Sequence, residues 1–307
     1  MLSAVAALLL TLPASAGAKT NIRVGIGDQN VSMFDQELFQ DLNIKRTRYF
    51  IRWDAAKDPY YLQQADVFVD HAKQNGVSVL MHISSNNLTR KKAKLPSVKT
   101  YKKEVGKLVK RYRAQGVKEW GTWNEANHDS QPTYKSPSTA AKYFVELYRM
   151  CKGCTIVGLD VLDQAGVERY IQRFYKALSP TYRKRARIVG IHNYSDVNRK
   201  RTKGTSSIIR TVRAKGRNTS AKFWFTETGA QVSFGRSFPC SEKRAANRTK
   251  YMFTLAKKYK KVVQRLYQYA YWGNDCEERF DAGLVNADGT ARPGYDAFKS
   301  GIKGFLR

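Results

Sequence analysis

Apolar residues along the chain fall into two alternating patterns. The first is a set of short runs rich in β-branched and aromatic residues, which read as strands: IRVGIG (22–27), RTRYFIRW (46–53), VSVLMHI (77–83), KEWGTWNE (118–125), TIVGLDV (155–161), RIVGIHNY (187–194), KFWFTET (222–228) and RLYQYAYW (265–272). The second is a set of longer stretches with apolar residues every three or four positions. YYLQQADVFVDHAKQNG, KTYKKEVGKLVKRYRAQG, STAAKYFVELYRMCKG and RAANRTKYMFTLAKKYK have this spacing, the first three with a glycine stop, and predict amphipathic helices.

Eight strands alternating with helices over roughly 250 residues predict an α/β fold, a single (β/α)8 TIM barrel. A doubly wound open sheet is the alternative. Its dinucleotide fingerprint is weak here: VGIGDQN supplies Gly25 and Gly27 but no third glycine in place. No linker interrupts the pattern, so residues 19–307 are expected to form one catalytic domain. The 42% hydrophobic content of the 307 residues is enough for its core. Residues 1–18 read as a signal peptide. Leu2 to Leu12 is apolar but too short to span a bilayer, and ASAGA offers small residues for cleavage, although no Lys or Arg precedes the run. A buried N-terminal helix is the other reading. No second apolar stretch is long enough to cross a membrane, so a secreted or wall-associated monomer is expected.

Four cysteines in an exported chain favour disulfides. The Cys-Lys-Gly-Cys spacing also fits redox or zinc chemistry, but further ligands at zinc spacing and a thioredoxin-like pattern are both missing. In a barrel, Cys151 and Cys154 precede strand five at the bottom, whereas Cys240 and Cys276 follow strands seven and eight at the top. A disulfide cannot reach from one end to the other, so the expected pairs are Cys151–Cys154 and Cys240–Cys276.

In this fold the strand C-termini form the active face. Polar and aromatic residues close strand after strand: Arg48, Arg52 and Trp53 on strand two; His82 on strand three; Asn124 and Glu125 on strand four; His192 and Tyr194 on strand six; Glu227 on strand seven; and Trp272 on strand eight. Glu125 and Glu227 are the candidate catalytic pair. Glycoside hydrolysis needs two carboxyl groups flanking the scissile bond, one protonated and one ionised. A poorly solvated setting beside Trp123 and Tyr134 would raise the pKa of Glu125, while an arginine beside Glu227 would keep it ionised. Trp53 and Trp272 have flat faces suited to a pyranose ring, or else belong to the core. His82 is a site candidate or a structural histidine.

WNEAN with FTETG, in this strand order, resembles the (β/α)8-barrel clan of retaining glycoside hydrolases, which includes many cellulases, xylosidases and mannanases. The resemblance spans about residues 20–307. It implies that Glu125 is the acid/base, Glu227 the nucleophile and Asn124 a partner of the substrate 2-hydroxyl. HNY resembles the strand-six element, which would place Tyr194 on Glu227 and His192 along the site. Trp272 resembles the aromatic platform after strand eight. Arg48 best matches the arginine that steadies the nucleophile, with Arg46 and Arg52 as alternatives on the same strand. The tail AGLVNADGTARPGYDAFK resembles the closing loop and last helix. No cofactor or metal is implied.

The formal charge of +30, from 55 Lys and Arg against 25 Asp and Glu, concerns partners rather than fold. Much of it lies on helix faces as a solvated surface. TRKKAK (89–94), NRKRTKG (198–204) and Arg236 instead border the expected cleft and point to a polyanionic carbohydrate substrate, such as a uronate- or phosphate-bearing wall glycan. A glycan-binding barrel without catalysis is the alternative. Nucleic acid is not expected as the partner of an exported protein with paired carboxylates. GxxxxGK[ST], HExxH and GxSxG motifs are absent.

Overall fold

A computed structural model of the chain describes residues 20–87, 89 and 91–307. The expected signal peptide lies outside the described residues, as does Arg90 in the first basic loop. The strands are β1 (Arg23–Gly27), β2 (Arg46–Arg52), β3 (Ser78–Ser84), β4 (Glu119–Gly121), β5 (Thr155–Val157), β6 (Leu159–Leu162), β7 (Ile188–His192), β8 (Lys222–Thr228), β9 (Ser233–Phe234), β10 (Val263–Tyr269) and β11 (Phe280–Asp281). Around them stand α1 (Glu37–Leu42), α2 (Pro59–Gln74), α3 (Val98–Ala114), α4 (Pro137–Met150), α5 (Val167–Lys176), α6 (Pro180–Arg185), α7 (Tyr194–Asn198), α8 (Lys203–Arg210), α9 (Glu242–Lys258) and α10 (Pro293–Gly301).

Nine strands form one parallel sheet in the order β5-β4-β3-β2-β1-β10-β8-β7-β6. The two ends of that order, β5 and β6, are separated in the chain only by Gly158, whose N–H donates to the Ile188 carbonyl at 2.9 Å. They are therefore two halves of one barrel strand, and the sheet closes into the expected (β/α)8 cylinder. Gly158 suits the junction because a Cβ there would press at 3.1 Å on the Phe144 ring.

The predicted periodicities appear as packing. In α3 the stripe Tyr101, Val105, Leu108, Val109 and Tyr112 is buried against the barrel, and Ser97 caps its first turn by accepting from the Thr100 N–H at 3.1 Å. The strand spans agree closely with the sequence reading except at three C-terminal ends, the sixth strand stopping at His192 so that Tyr194 opens α7 instead of closing the strand. The fourth strand leaves the ladder at Gly121 rather than Glu125, and the eighth stops at Tyr269 rather than Trp272. At the base, Arg265 pairs with Glu119 across the barrel and lies 3.8 Å from the Trp224 ring centre, while Arg46 reaches Glu119 at 3.6 Å.

Both expected cysteine pairs are present, Cys151–Cys154 and Cys240–Cys276, each with Cα atoms 5.5 Å apart. The second joins the loops after β8 and β10, whose short antiparallel pair β9–β11 sets Phe234 and Phe280 beside the barrel mouth. Its 36-residue separation gives a loop-closure contribution of about 4 kcal/mol, against about 1.6 kcal/mol for the three-residue loop of the first pair. Urea denaturation of a C240S/C276S double variant should therefore show the larger loss of stability. A loss no greater than that of C151S/C154S would contradict this.

Candidate active site

The chain meets a geometric problem at the end of β4. Glu125 must turn from the strand direction toward the mouth, and it does so in the left-handed backbone region, at φ 44°. A non-glycine residue there costs on the order of 1 kcal/mol and persists only when its surroundings fix it. Asp160, on β6, supplies the fixation. Its Oδ1 accepts the Glu125 N–H at 3.0 Å, and its backbone carbonyl accepts the Ala126 N–H at 3.0 Å.

Glu227 reaches the same space from β8. Its Oε2 accepts from Arg48 Nη1 at 2.6 Å, and its Oε1 accepts from the Tyr194 hydroxyl at 2.9 Å. Of the three arginines on β2, only Arg48 faces the site. Arg46 points to the base, and Arg52 pairs with Asp54 at 3.1 Å while lying 3.9 Å from the Tyr61 ring centre. Arg48 is 1% exposed and spreads its guanidinium over three partners: Glu227, the Asn124 Oδ1 and, through Nε, the His82 Nδ1 at 3.2 Å.

His192 links the two carboxylates. Its Nδ1 lies 3.0 Å from Glu125 Oε1 and 3.6 Å from Glu227 Oε2, and its Nε2 lies 3.0 Å from Asp160 Oδ1. Burial alone would pull its pKa down. The charges of Asp160 and Glu227, with hydrogen bonds to Asp160 and Glu125, outweigh burial and push it up to about 10. The ring is thus an imidazolium that donates from both nitrogens. Asp160 is held well below the usual carboxylate range: burial raises it, but the His192 charge and the surrounding cations overcome that.

The balance at Glu125 differs from the sequence expectation. Burial does push it up, but the hydrogen bond and charge of His192, and then the charge of His128, leave it lowered. The resting proton of the Glu125–His192 pair sits on the ring. His82 is fully buried, and burial lowers its pKa to about 3, so it is neutral and serves as an acceptor beneath Arg48 rather than as a wall of the cleft.

Ligand-capable atoms of Glu125, His192 and Glu227 all lie within 4.8 Å of one another. This brings one oxygen of each carboxylate to facing positions across a narrow gap. The same spacing would suit a metal ion, but Arg48 already presents a fixed positive charge to Glu227 at 2.6 Å, and His192 is itself a cation. A hollow of about 380 Å³ opens over the pair. Among its lining are Glu125, Glu227, Tyr194, Arg199, Phe234 and Phe280. Arg199 sits over the Phe238 ring at 4.9 Å.

Two sequence candidates are placed elsewhere. Trp53 is 5% exposed and belongs to the hydrophobic core, so it offers no open face to a sugar. Trp272 is three residues past the end of β10. It packs edge-on against Tyr271 with ring centres 5.2 Å apart, its backbone N–H donates to Asp28 Oδ2 at 3.0 Å, and it is not among the residues lining the hollow. Tyr269 takes the strand-eight place near the pair. Burial, then the charge of Glu227, raises its pKa, and its ring lies 6.2 Å from Phe50 and 6.3 Å from Phe280. Trp272 suffers from the same cause as the overlong strand prediction: YQYAYW continues in aromatic composition after the ladder has ended.

Asp160 was missed altogether. Besides Glu125 and His192, it accepts from the Thr226 hydroxyl at 2.5 Å. The available signal was a lone carboxylate in the apolar run TIVGLDV, next to a neighbouring strand that carries Gly190 in register. A Cβ on Gly190 would stand 2.0 Å from Asp160 Oδ2, so the glycine makes the space that the carboxylate fills.

The class that emerges is a parallel (β/α)8 barrel with a buried, cation-braced carboxylate pair at its C-terminal mouth. No protein-family model matches the sequence, and no curated protein sequence matches it. Solved structures do. A xylanase from Paenibacillus barcinonensis superposes with a TM-score of 0.65 at 12% identity, covering 91% of this chain and 95% of its own. A psychrophilic endo-β-1,4-xylanase of glycoside hydrolase family 10 gives 0.62 at 16% identity, with 91% and 96% covered. A glucosidase from Croceicoccus marinus gives 0.66 at 12% identity, with 93% of this chain and 66% of that one covered. At these identities the likeness is one of fold, and it extends over nearly the whole chain.

Proposed function

We propose that this protein is a secreted glycoside hydrolase that cleaves O-glycosidic bonds of an anionic poly- or oligosaccharide with retention of configuration. Glu227 is the nucleophile and Glu125 the acid/base. The observation that carries this reading is the close approach of the two carboxylates, within 4.8 Å at their ligand-capable oxygens. Retention goes with carboxyl groups about 5–5.5 Å apart, whereas inversion needs about 6.5–9.5 Å to admit a water. The xylanases and glucosidase that share the fold support the same reaction class.

In the first step Glu227 attacks the anomeric carbon, the bond to the leaving oxygen breaks, and Glu125 gives that oxygen a proton. In the second step Glu125 takes a proton from water, whose oxygen attacks the anomeric carbon and frees Glu227. Arg48 and Tyr194 hold the nucleophile at both oxygens, and Asn124, its Oδ1 held by Arg48, is the donor for a substrate hydroxyl through its amide nitrogen. Arg199 at the hollow and the basic loops around the mouth support an acidic substrate. The leader sequence and the two disulfides support export.

The proton inventory gives a specific pH dependence. Glu125 reacts as the acid when the shared proton moves to it from His192. That form holds the same number of protons as the resting form, so its share of the population is constant until the pair loses the proton. The alkaline limb of kcat/KM is therefore expected near pH 10, set by His192. In His192→Asn, Glu125 must hold the proton alone, and the limb should move toward neutral pH. An unmoved limb would remove His192 from this role. A panel of aryl glycosides and charged and neutral polysaccharides, assayed at low and high salt, tests the function itself. Turnover of none of them would end the glycosidase reading, and salt-independent preference for a neutral glycan would end the anionic one.

A further inference from the structure

A second hollow, of about 370 Å³, lies on the Glu125 flank of the mouth. Asn127, from the turn that carries Glu125, forms part of its wall, as do Gln164 and Gly166 from the loop after β6. Gln164 Nε2 donates to the Asn127 carbonyl at 2.6 Å, and Leu162, in the same stretch of chain, lines the hollow over the carboxylate pair. The two hollows are therefore neighbours along one rim.

The charge in this second hollow is one-sided. Lys135 enters from the loop before α4, and Arg169 and Arg173 from α5. The two arginines are four residues apart, so they share one helix face and repel each other. No carboxylate lines the hollow, and none of the three cations has an ion-pair partner among the described residues. Glu168, the nearest acid in sequence, is engaged on another side of the helix by the Ser207 hydroxyl at 2.5 Å. On α3, Lys102 and Lys107 have Glu146 and Glu104 as partners, while Lys99, Lys103 and Lys110 stand exposed; the three cations here differ from those in lining one recess together. Three cations facing one recess without a counter-charge form an arrangement that a bound anion relieves.

We propose that this recess is an anchoring subsite for an acidic sugar residue on the leaving-group arm of the glycan, held through its carboxylate by Lys135, Arg169 and Arg173. The inference rests on the glycosidase reading for its direction. The acid protonates the leaving oxygen, so the chain beyond that oxygen passes over the Glu125 turn and meets the recess next. Arginine forks suit a carboxylate in particular because they bind it through two parallel N–H donors.

The test measures binding rather than turnover, in protein carrying Glu227→Gln, by titrating a uronate oligosaccharide and a neutral oligosaccharide of equal length. Adding K135A, R169A and R173A should weaken uronate binding by about tenfold at low salt and flatten its salt dependence, with neutral binding unchanged. As a control for net charge, K110A/R113A/K118A in the last turns of α3 and the segment after it removes three exposed charges at the base end of the barrel and should leave uronate binding intact. Equal uronate affinity with and without the three recess cations would overturn the proposal, as would an equal loss in the α3 control. A sulfated oligosaccharide, inorganic phosphate and a DNA oligonucleotide complete the set. If any of these binds through the three cations as tightly as the uronate, the recess is a general anion patch and the sugar anchor is wrong. The glycoside panel is a separate experiment, so a protein that turns over nothing yet loses uronate binding in the triple variant would overturn the enzyme and keep the subsite.

Discussion

Glu227→Gln is expected to lower kcat by about four orders of magnitude or more, the scale seen when a covalent nucleophile is removed, while binding of oligosaccharide persists. Glutamine keeps the size of the side chain and its bond to Tyr194 but cannot form the glycosyl ester. Glu125→Gln should behave differently. On the proposed roles it removes the proton donor but leaves the nucleophile, so substrates with good leaving groups, such as dinitrophenyl glycosides, should retain far more activity than natural ones, since general acid catalysis contributes about 10²–10⁴-fold. Single-turnover kinetics on both variants check this. The roles of the pair would have to be exchanged if Glu227→Gln spared the activated substrates and Glu125→Gln abolished turnover of them. A barrel that binds glycan without cutting it would show no change in either.

The second large effect is expected from Arg48→Met. Arg48 is 1% exposed and its Nη1 lies 2.6 Å from Glu227. Removing one member of a buried ion pair leaves the other charge uncompensated, at a cost of about 3–5 kcal/mol. Here the remaining set is Glu125, Glu227 and Asp160 around a single imidazolium, so the loss should lie in the upper part of that range. Denaturation by urea measures it. Arg48→Lys should recover part of the stability by restoring the charge, but not the activity, because an ammonium cannot serve Glu227, Asn124 and His82 from one plane. If Arg48→Met proves as stable as the parent, the carboxylate pair is not held in the way described.

Much of the architecture was legible because hydrophobic periodicity records burial directly. A barrel strand is covered on both faces, so β3 reads as a near-continuous apolar run and β2 and β8 carry the apolar cores YFI and FWF, and their spans agree with the sequence reading nearly residue by residue. The expectation that Glu125, Glu227 and His192 share one space rests on one further rule, that residues closing barrel strands meet at the C-terminal mouth, whereas Tyr194 reaches Glu227 from the first residue of α7. The same logic selected the two cysteine pairs. Composition is a poorer guide where a strand ends. The aromatic run after Tyr269 and Trp123 after Gly121 look like more strand, but the regular ladder ends at Tyr269 and Gly121 and only separate backbone bonds continue, such as the Asn124 N–H to the Ile83 carbonyl at 2.7 Å. The place expected for Trp272 belongs to Tyr269, and of the two readings open for Trp53, cleft or core, the structure shows core.

The sequence by itself determined the alternation of strands and helices, the closure it implies, and the chemical types delivered to the mouth: two carboxylates, an arginine, a histidine, a tyrosine and an excess of positive charge. Only the tertiary structure decided how those groups share protons and which charges go unpaired. Asp160 holds the bend at Glu125 and makes His192 a cation, and that cation reverses the expected shift of Glu125. The physical reason is distance. Electrostatic coupling in a buried site depends on separations of a few ångströms between residues that are here up to 179 positions apart in the chain, and no local pattern carries that information.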